Sequence, residues 1–273
     1  MFKWLQSRKI PKHKYAIQAA MLGDFSALAW SNLGFWHSSM SYPQACQNLA
    51  RHLANAVDLN AQDTLLDLGC GQGASLQLWQ DAYSLADISA VELQASCIAR
   101  IQNSSLTALK QLHQGSFLNL APQQFAQPFN VILCIDALYH HAMPEFLASI
   151  QVLLASNGRL GVHYLQLNDA WKNAPFWKKW QYRYLLKMAD IQLAHLSNQQ
   201  GLIEKFFSAG FNHVQIDVLT QPVFSGFANY VHSQLNPKQL RGLDGLKIKM
   251  TAKLCKKFAQ DGLIDYVQIT AQR

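Results

Sequence analysis

The run Thr64-Leu65-Leu66-Asp67-Leu68-Gly69-Cys70-Gly71-Gln72-Gly73 decides how this chain folds. Its first five residues are mostly apolar and read as a buried strand, Thr64–Leu68. Three glycines at alternate positions follow, and a helical segment over 74–81 comes next. Glycine has no Cβ and adopts φ > 0 at little cost, so a ligand can approach such a bend closely. The start of the next helix offers N–H groups that lack intrahelical partners. Together these features predict a nucleotide-bearing cofactor at the carboxyl end of a first parallel strand. Gly69, Gly71 and Ala74 also satisfy the loose dinucleotide pattern G-x-G-x-x-G/A, which discriminates poorly by itself. Asp67 discriminates better. An acid two residues before the first glycine repels a pyrophosphate and suits a cationic ligand end, such as an α-ammonium group.

Asp67-Leu68-Gly69-Cys70-Gly71-Gln72-Gly73 resembles motif I of the class I S-adenosylmethionine (SAM) dependent methyltransferases. Upstream, Leu33-Gly34-Phe35-Trp36 resembles the L-G-[FY]-W run of the small-molecule members, which include sterol, tocopherol and sugar-O-methylating enzymes. There it forms part of a lid over SAM; plain core packing of Phe35 and Trp36 is the other reading. The resemblance implies an α/β fold: a Rossmann-like, seven-stranded, mostly parallel sheet whose last strand is antiparallel, with S-adenosyl-L-methionine as cofactor. It covers about 30–273 at the level of fold.

The totals agree with an intracellular enzyme. In 273 residues, half apolar, there is room for one large domain and insertions. Lys and Arg number 23 against 16 acids, a net charge of +7, which suits anionic partners. Charged residues make up only 14%, too few for a dense nucleic-acid surface. The five cysteines are scattered and form no C-x-x-C pair, so reduced thiols, a cytoplasmic setting and no zinc site are expected. The first residues mix five cations with few consecutive apolar residues, which is not a signal-peptide pattern, and no run reaches the length of a membrane span.

The chain divides into a basic arm and lid over 1–40, a SAM-binding core over 41–167, a helical cap over 168–198, and a return to the sheet over 199–273 with a second insertion at about 221–262. Periodicity predicts helices at 44–57, 94–109 and 144–154, the last closed by Asn157-Gly158 as a C-cap. Strands are expected at 88–93, near 111–113, and at 129–135, 159–166, 211–219 and 263–271. The continuous apolar run at 129–135 suits a sheet covered on both faces.

Candidate site residues sit at strand ends, where open α/β sheets bind ligands. Glu92 ends the second strand about 20 residues past the glycines and can accept both hydrogen bonds of a ribose diol. Leu93 and Gln94 would border the adenine. In the resembling family the Gly115-Ser116-Phe117 position often carries an acid that bonds the adenine amino group; here Ser116 stands instead, a weaker acceptor. The cofactor set is thus Trp36, Asp67, Gly69, Cys70, Gly71, Gly73, Glu92, Leu93, Ser116, Phe117, Cys134 and Asp136.

Asp136-Ala137-Leu138-Tyr139-His140-His141 follows the fourth strand. Methyl transfer from a sulfonium needs alignment and exclusion of water, and a hydroxyl acceptor also needs a base. His140 and His141 stand where that base belongs, and an ordinary histidine takes a proton near neutral pH. Paired histidines serve this role in some sugar-O-methyltransferases of the resembling group. Asp136 orients a histidine or caps the turn. His163 reads as a core residue, and Asp169 is a second candidate for orienting the acceptor. No metal is expected.

The cap interleaves Trp171, Phe176, Trp177, Trp180 and Tyr184 with Lys172, Lys178, Lys179, Arg183 and Lys187. Such a segment can line an apolar pocket, rest on anionic lipid, or simply pack on the sheet. The loop Asp136-Ala137-Leu138-Tyr139 is not the N-P-P-[YF] motif of base or glutamine N-methylation. The expected partner is therefore a small apolar or aromatic acceptor, O- or C-methylated, with peripheral membrane contact open and nucleic acid disfavoured. Two alternatives stand beside it: a SAM-binding accessory subunit without turnover, and an NAD(P)-dependent oxidoreductase.

Overall fold

The computed structural model describes residues 18–37, 39–236 and 240–273; the basic arm expected over 1–14 lies outside them. Seven strands pair in the order β3-β2-β1-β4-β5-β7-β6 among the described residues. These are β1 (Thr64–Leu68), β2 (Asp87–Glu92), β3 (Leu109–Gln114), β4 (Phe129–Cys134), β5 (Leu154–Leu167), β6 (Asn212–Val218) and β7 (Ile264–Gln272). The chain steps outward from β1 to β3, then returns across β1 to β4. That reversal opens a crevice between the carboxyl ends of β1 and β4. β7 slides in antiparallel between β5 and β6, in register from Arg159↔Gln272 to Leu167↔Ile264. The sheet is the α/β fold with an antiparallel last strand that the motifs implied.

Helices cover both faces. α1 (Tyr42–Ala56), α2 (Ala74–Ala82) and α3 (Ala95–Gln102) precede β4, and α4 (Met143–Ile150) follows it. The cap contributes α5 (Ala170–Asn173) and α6 (Phe176–Met188). α7 (Gln199–Ser208), α8 (Gly226–Ser233) and α9 (Gly242–Asp261) complete the set. The central strands β1, β2 and β4 are almost wholly buried, so side chains from each alternate between two apolar cores. Leu66, Leu68 and Ile132 belong to one, and Leu65, Val131 and Leu133 to the other. All five cysteines are free and buried.

Two expected boundaries are corrected. The helix predicted over 94–109 stops at Gln102, because Asn103 Nδ2 (2.8 Å to Ala99 O) and Ser104 Oγ (2.6 Å to Ile101 O) take up its last carbonyls. Asn157-Gly158 is not a helix C-cap. α4 ends at Ile150, and the pair lies inside β5, where the register against β4 jumps between Phe129 and Val131. Asn157 adopts φ 61°, a left-handed conformation that asparagine tolerates. The same dipeptide thus serves a bulge rather than a cap.

His163 is a core residue of β5, fully buried, with Nε2 3.4 Å from Gln268 Oε1 on β7. Burial lowers its pKa to about 3, partly opposed by that hydrogen bond. The unfolded chain therefore binds a proton below about pH 6.5 that the native chain refuses, and stability falls as pH falls through that window. Between pH 7 and pH 5 this one residue should cost about 2 kcal/mol of unfolding free energy. Urea melts of the wild type and His163→Gln at both pH values check it: the variant should lose less stability on acidification by about that amount.

Candidate active site

The glycine bend after β1 is built on left-handed backbone, with φ 72° at Gly69, 56° at Gly71 and 92° at Gly73. Each position also abuts something a side chain would strike. A Cβ on Gly69 would lie 2.8 Å from Ala137 Cβ, in the loop after β4. One on Gly71 would lie 2.9 Å from Ser31 Oγ, and one on Gly73 2.8 Å from Ile101 Cγ1 on α3. Gly69 and Gly71 thus keep the crevice narrow, while Gly73 lets α2 start against α3.

Glu92, at the tip of β2, is nearly buried. Its two oxygens accept from the backbone N–H of Gly71 (2.9 Å) and of Gln94 (2.8 Å). The carboxylate is therefore held beside the glycine bend, at the distance from β1 that one strand spacing imposes.

Asp67 is turned inward. It is 1% exposed, and its Oδ2 accepts from Trp79 Nε1 on α2 at 2.7 Å. Burial pushes its pKa up to about 6, against the pull of donors on Ser75 and Trp79. The residue anchors α2 beneath the bend, a tie the motif pattern alone did not suggest. The thiols of Cys70 and Cys134 are buried among apolar neighbours, and burial holds both protonated. Leu93 is more than half exposed beside Glu92. Ser116 Oγ accepts from Leu118 N–H at 3.2 Å, closing its own turn, and the Phe117 ring packs toward Gly69.

The segment before α1 folds over this crevice. Asp24 organises it, accepting from Ser26 N–H (3.0 Å) and Trp30 N–H (2.7 Å). Leu33 N–H then donates to Asp136 Oδ2 at 2.8 Å. Tyr266 Oη, from β7, donates to Asp136 Oδ1 at 3.1 Å, and Tyr139 is a further donor. Asp136 itself sits at φ 55°, and burial pushes its pKa up to about 6 despite these donors. Trp36 packs away from the glycine bend. Its Nε1–H caps Leu33 O (2.8 Å), its N–H donates to Pro222 O (2.9 Å), and its ring stacks on Tyr230 with centroids 4.5 Å apart. Gly226 makes room for it, since a Cβ there would lie 2.4 Å from Trp36 Cβ.

The two histidines separate. His140 Nδ1 lies 3.1 Å from the carbonyl of Asp190, just past α6. His141 meets Phe117 edge-on, with centroids 5.3 Å apart, and Phe117 borders Gly69. Burial lowers the His141 pKa; Glu145 opposes the shift and His195 adds to it. The backbone carbonyl of His141 is held by Tyr164 Oη at 2.8 Å. Asp169 is exposed and pairs with Lys172 at 3.1 Å. Among the described residues no cluster of three or more His, Cys, Asp or Glu could hold a metal ion.

Sequence reasoning missed Ser31, the Leu33 amide, Tyr139 and Tyr266 as parts of this site. Tyr139 stood in the quoted loop and could have been read as a partner for Asp136. Tyr266 lies 130 positions from Asp136, and only the insertion of β7 beside β5 brings it there.

A family model described as a methyltransferase domain matches residues 37–216. The (+)-O-methylkolavelool synthase of Herpetosiphon aurantiacus is 24% identical over 237 residues, covering 81% of this chain and 77% of its own. The erythromycin 3''-O-methyltransferase of Saccharopolyspora erythraea is 27% identical over 140 residues, 49% of this chain and 45% of its own. Among solved structures, a mycolic acid cyclopropane synthase complexed with S-adenosylhomocysteine (SAH) matches with a TM-score of 0.72 at 17% identity, over 93% of each chain. The geranyl diphosphate C-methyltransferase of Streptomyces coelicolor matches with 0.70 at 15% identity, over 93% of this chain and 92% of its own.

Removing the Asp136 carboxylate leaves the Leu33 N–H and Tyr266 O–H without their acceptor. Each unpaired group costs about 1–3 kcal/mol when buried. Asp136→Ala should therefore lower the unfolding free energy by about 2 kcal/mol or more. Hydrogen exchange should show the Leu33 amide losing protection before the sheet does.

Proposed function

Because the chain belongs to the methyltransferase-domain family, we propose that it methylates a small apolar or aromatic acceptor at oxygen or carbon, with His141 as general base. It is a SAM-dependent methyltransferase acting on small molecules. SAM, when bound, supplies an electrophilic methyl group on a sulfonium. Everything else falls to the residues of this chain.

The crevice fits that cofactor. Left-handed glycines with neighbours at about Cβ distance form a cradle that admits backbone but no side chains. In this reading Glu92 takes the ribose hydroxyls, and Leu93, Ser116 and Phe117 border the base. The backbone at Gly69, Cys70, Gly71 and Gly73 faces the amino-acid end, and Asp67, turned inward onto Trp79, supports that backbone from below. Cys134 and Asp136 close the site from β4, while Trp36 steadies the lid from its far side through Tyr230 and Pro222. The lid latched on Asp136 excludes water, which strengthens every polar contact beneath it.

One observation carries the acid–base assignment. His141 packs edge-on against Phe117, which borders Gly69, whereas His140 lies against the carbonyl of Asp190. Partial burial keeps the His141 imidazole neutral and ready to accept a proton from an acceptor hydroxyl.

A methyl-release screen over phenols, quinols, sugars and lipids tests this. With an acceptor found, His141→Ala should lower kcat by about 10²–10⁴-fold while SAH still binds by calorimetry; His140→Ala should cost far less. Because burial lowers the His141 pKa, kcat/KM should be flat through neutral pH and fall with acid only below pH 6.5. Unchanged turnover in His141→Ala would remove the base from the reading. Gly71→Val should abolish SAH binding, since its Cβ collides with Ser31 and its φ is strained.

A further inference from the structure

α6 is amphipathic in the wrong direction for a surface helix. Its inner face buries Tyr182 and Leu186. Tyr182 stacks on Phe258 of α9 and donates to Asp261 at 2.8 Å, while Lys178 pairs with Asp261 at 3.3 Å. The helix is thus fully anchored without its outer face. Yet that outer face carries Phe176, Trp177, Trp180, Tyr184 and Met188, all exposed, with Phe176 83% and Trp180 67% open to solvent. Successive positions three and four apart place Trp177, Trp180, Tyr184 and Met188 on one stripe. Lys179, Arg183 and Lys187, four apart, run as a row beside it. No acid occurs in 170–189, and α9, to which α6 is pinned, carries five lysines of its own.

We infer that this face of α6 docks on an anionic lipid surface. Tryptophan and tyrosine favour the boundary between headgroups and acyl chains, and flanking lysines and arginines reach the phosphates. A second copy is a poorer occupant: stripe against stripe would bring two cation rows together with no acid on this helix to meet them. No described helix is long and apolar enough to cross a membrane, so the contact is a helix lying in the interface. The position of α6 links docking to the site, because Asp190, two residues past the helix, holds His140 of the acceptor loop. An acceptor dissolved in the bilayer would then arrive at the crevice mouth. That last clause rests on the methyltransferase reading; the docking itself does not.

Co-sedimentation of the full chain with phosphatidylcholine vesicles, with and without phosphatidylglycerol, tests the inference. Binding is expected to the anionic vesicles, with a blue shift of tryptophan emission, and to weaken with added salt. Neutralising Lys179, Arg183 and Lys187 to Gln should cut partitioning about fivefold for each charge removed. Trp177→Ser/Trp180→Ser should abolish both binding and shift. Calorimetric SAH binding, unchanged in these variants, would show that they are folded. Equal partitioning of wild type and both variants, or none to either vesicle, overturns the inference. So does a dimer in light scattering that Trp177→Ser/Trp180→Ser dissolves, which would assign the face to a second copy. Vesicle binding without SAH binding would sink the enzymatic reading alone, and the reverse result the lipid reading alone.

Discussion

Three donors from separate parts of the chain converge on the carboxylate of Asp136. Leu33 N–H comes from the segment before α1, Tyr266 Oη from the last strand, and Tyr139 from the loop after β4. A carboxylate withdrawn from water is costly unless its oxygens are satisfied, and burial indeed raises its pKa. The donors offset that cost. In doing so they tie the segment before α1 to the loop after β4. Without this junction the segment over 24–36 would keep its hydrogen bonds to α1 and to Pro222, such as Phe35 N–H to Ala45 O (2.8 Å) and Tyr42 Oη to Asn32 O (2.9 Å), but lose its tie to the loop after β4.

The glycine bend depends on two further carboxylates with opposite orientations. Asp67 points into the protein and ties α2 to β1 through Trp79. Glu92 stays at the strand tip and binds the amide of Gly71 itself. One stiffens the floor of the crevice and the other its rim. A ligand reaching this bend therefore meets backbone already held in place, which lowers the ordering cost of binding. The histidine pair shows the same division. One ring is spent on holding the end of the cap to the loop after β4, and its neighbour packs edge-on against Phe117.

Much of this was legible in the chain. A five-residue apolar strand, an acid, three alternate glycines and a helix start leave few geometries, because only glycine enters the left-handed region three times in five residues at low cost. The apolar run of β4 announced a strand covered on both faces. Element ends were less legible. Asn157-Gly158 suits a helix cap and a strand bulge equally, and Asn103 with Ser104 ends α3 through side-chain bonds that a hydrophobic period does not register.

Local sequence therefore determined the α/β fold, the position of the glycine bend and the identity of the residues at the strand tips, since these follow from backbone propensity and side-chain period within a few residues. Only the tertiary structure decided which way those residues face. Asp67 turns inward because Trp79 lies on the next helix, His140 is claimed by the end of the cap while His141 packs on Phe117, and Asp136 becomes a latch because β7 inserts antiparallel and delivers Tyr266. The histidine and Asp136 partners lie 50 and 130 positions away, and hydrogen bonds act only over about 3 Å, so no short window of sequence contains them.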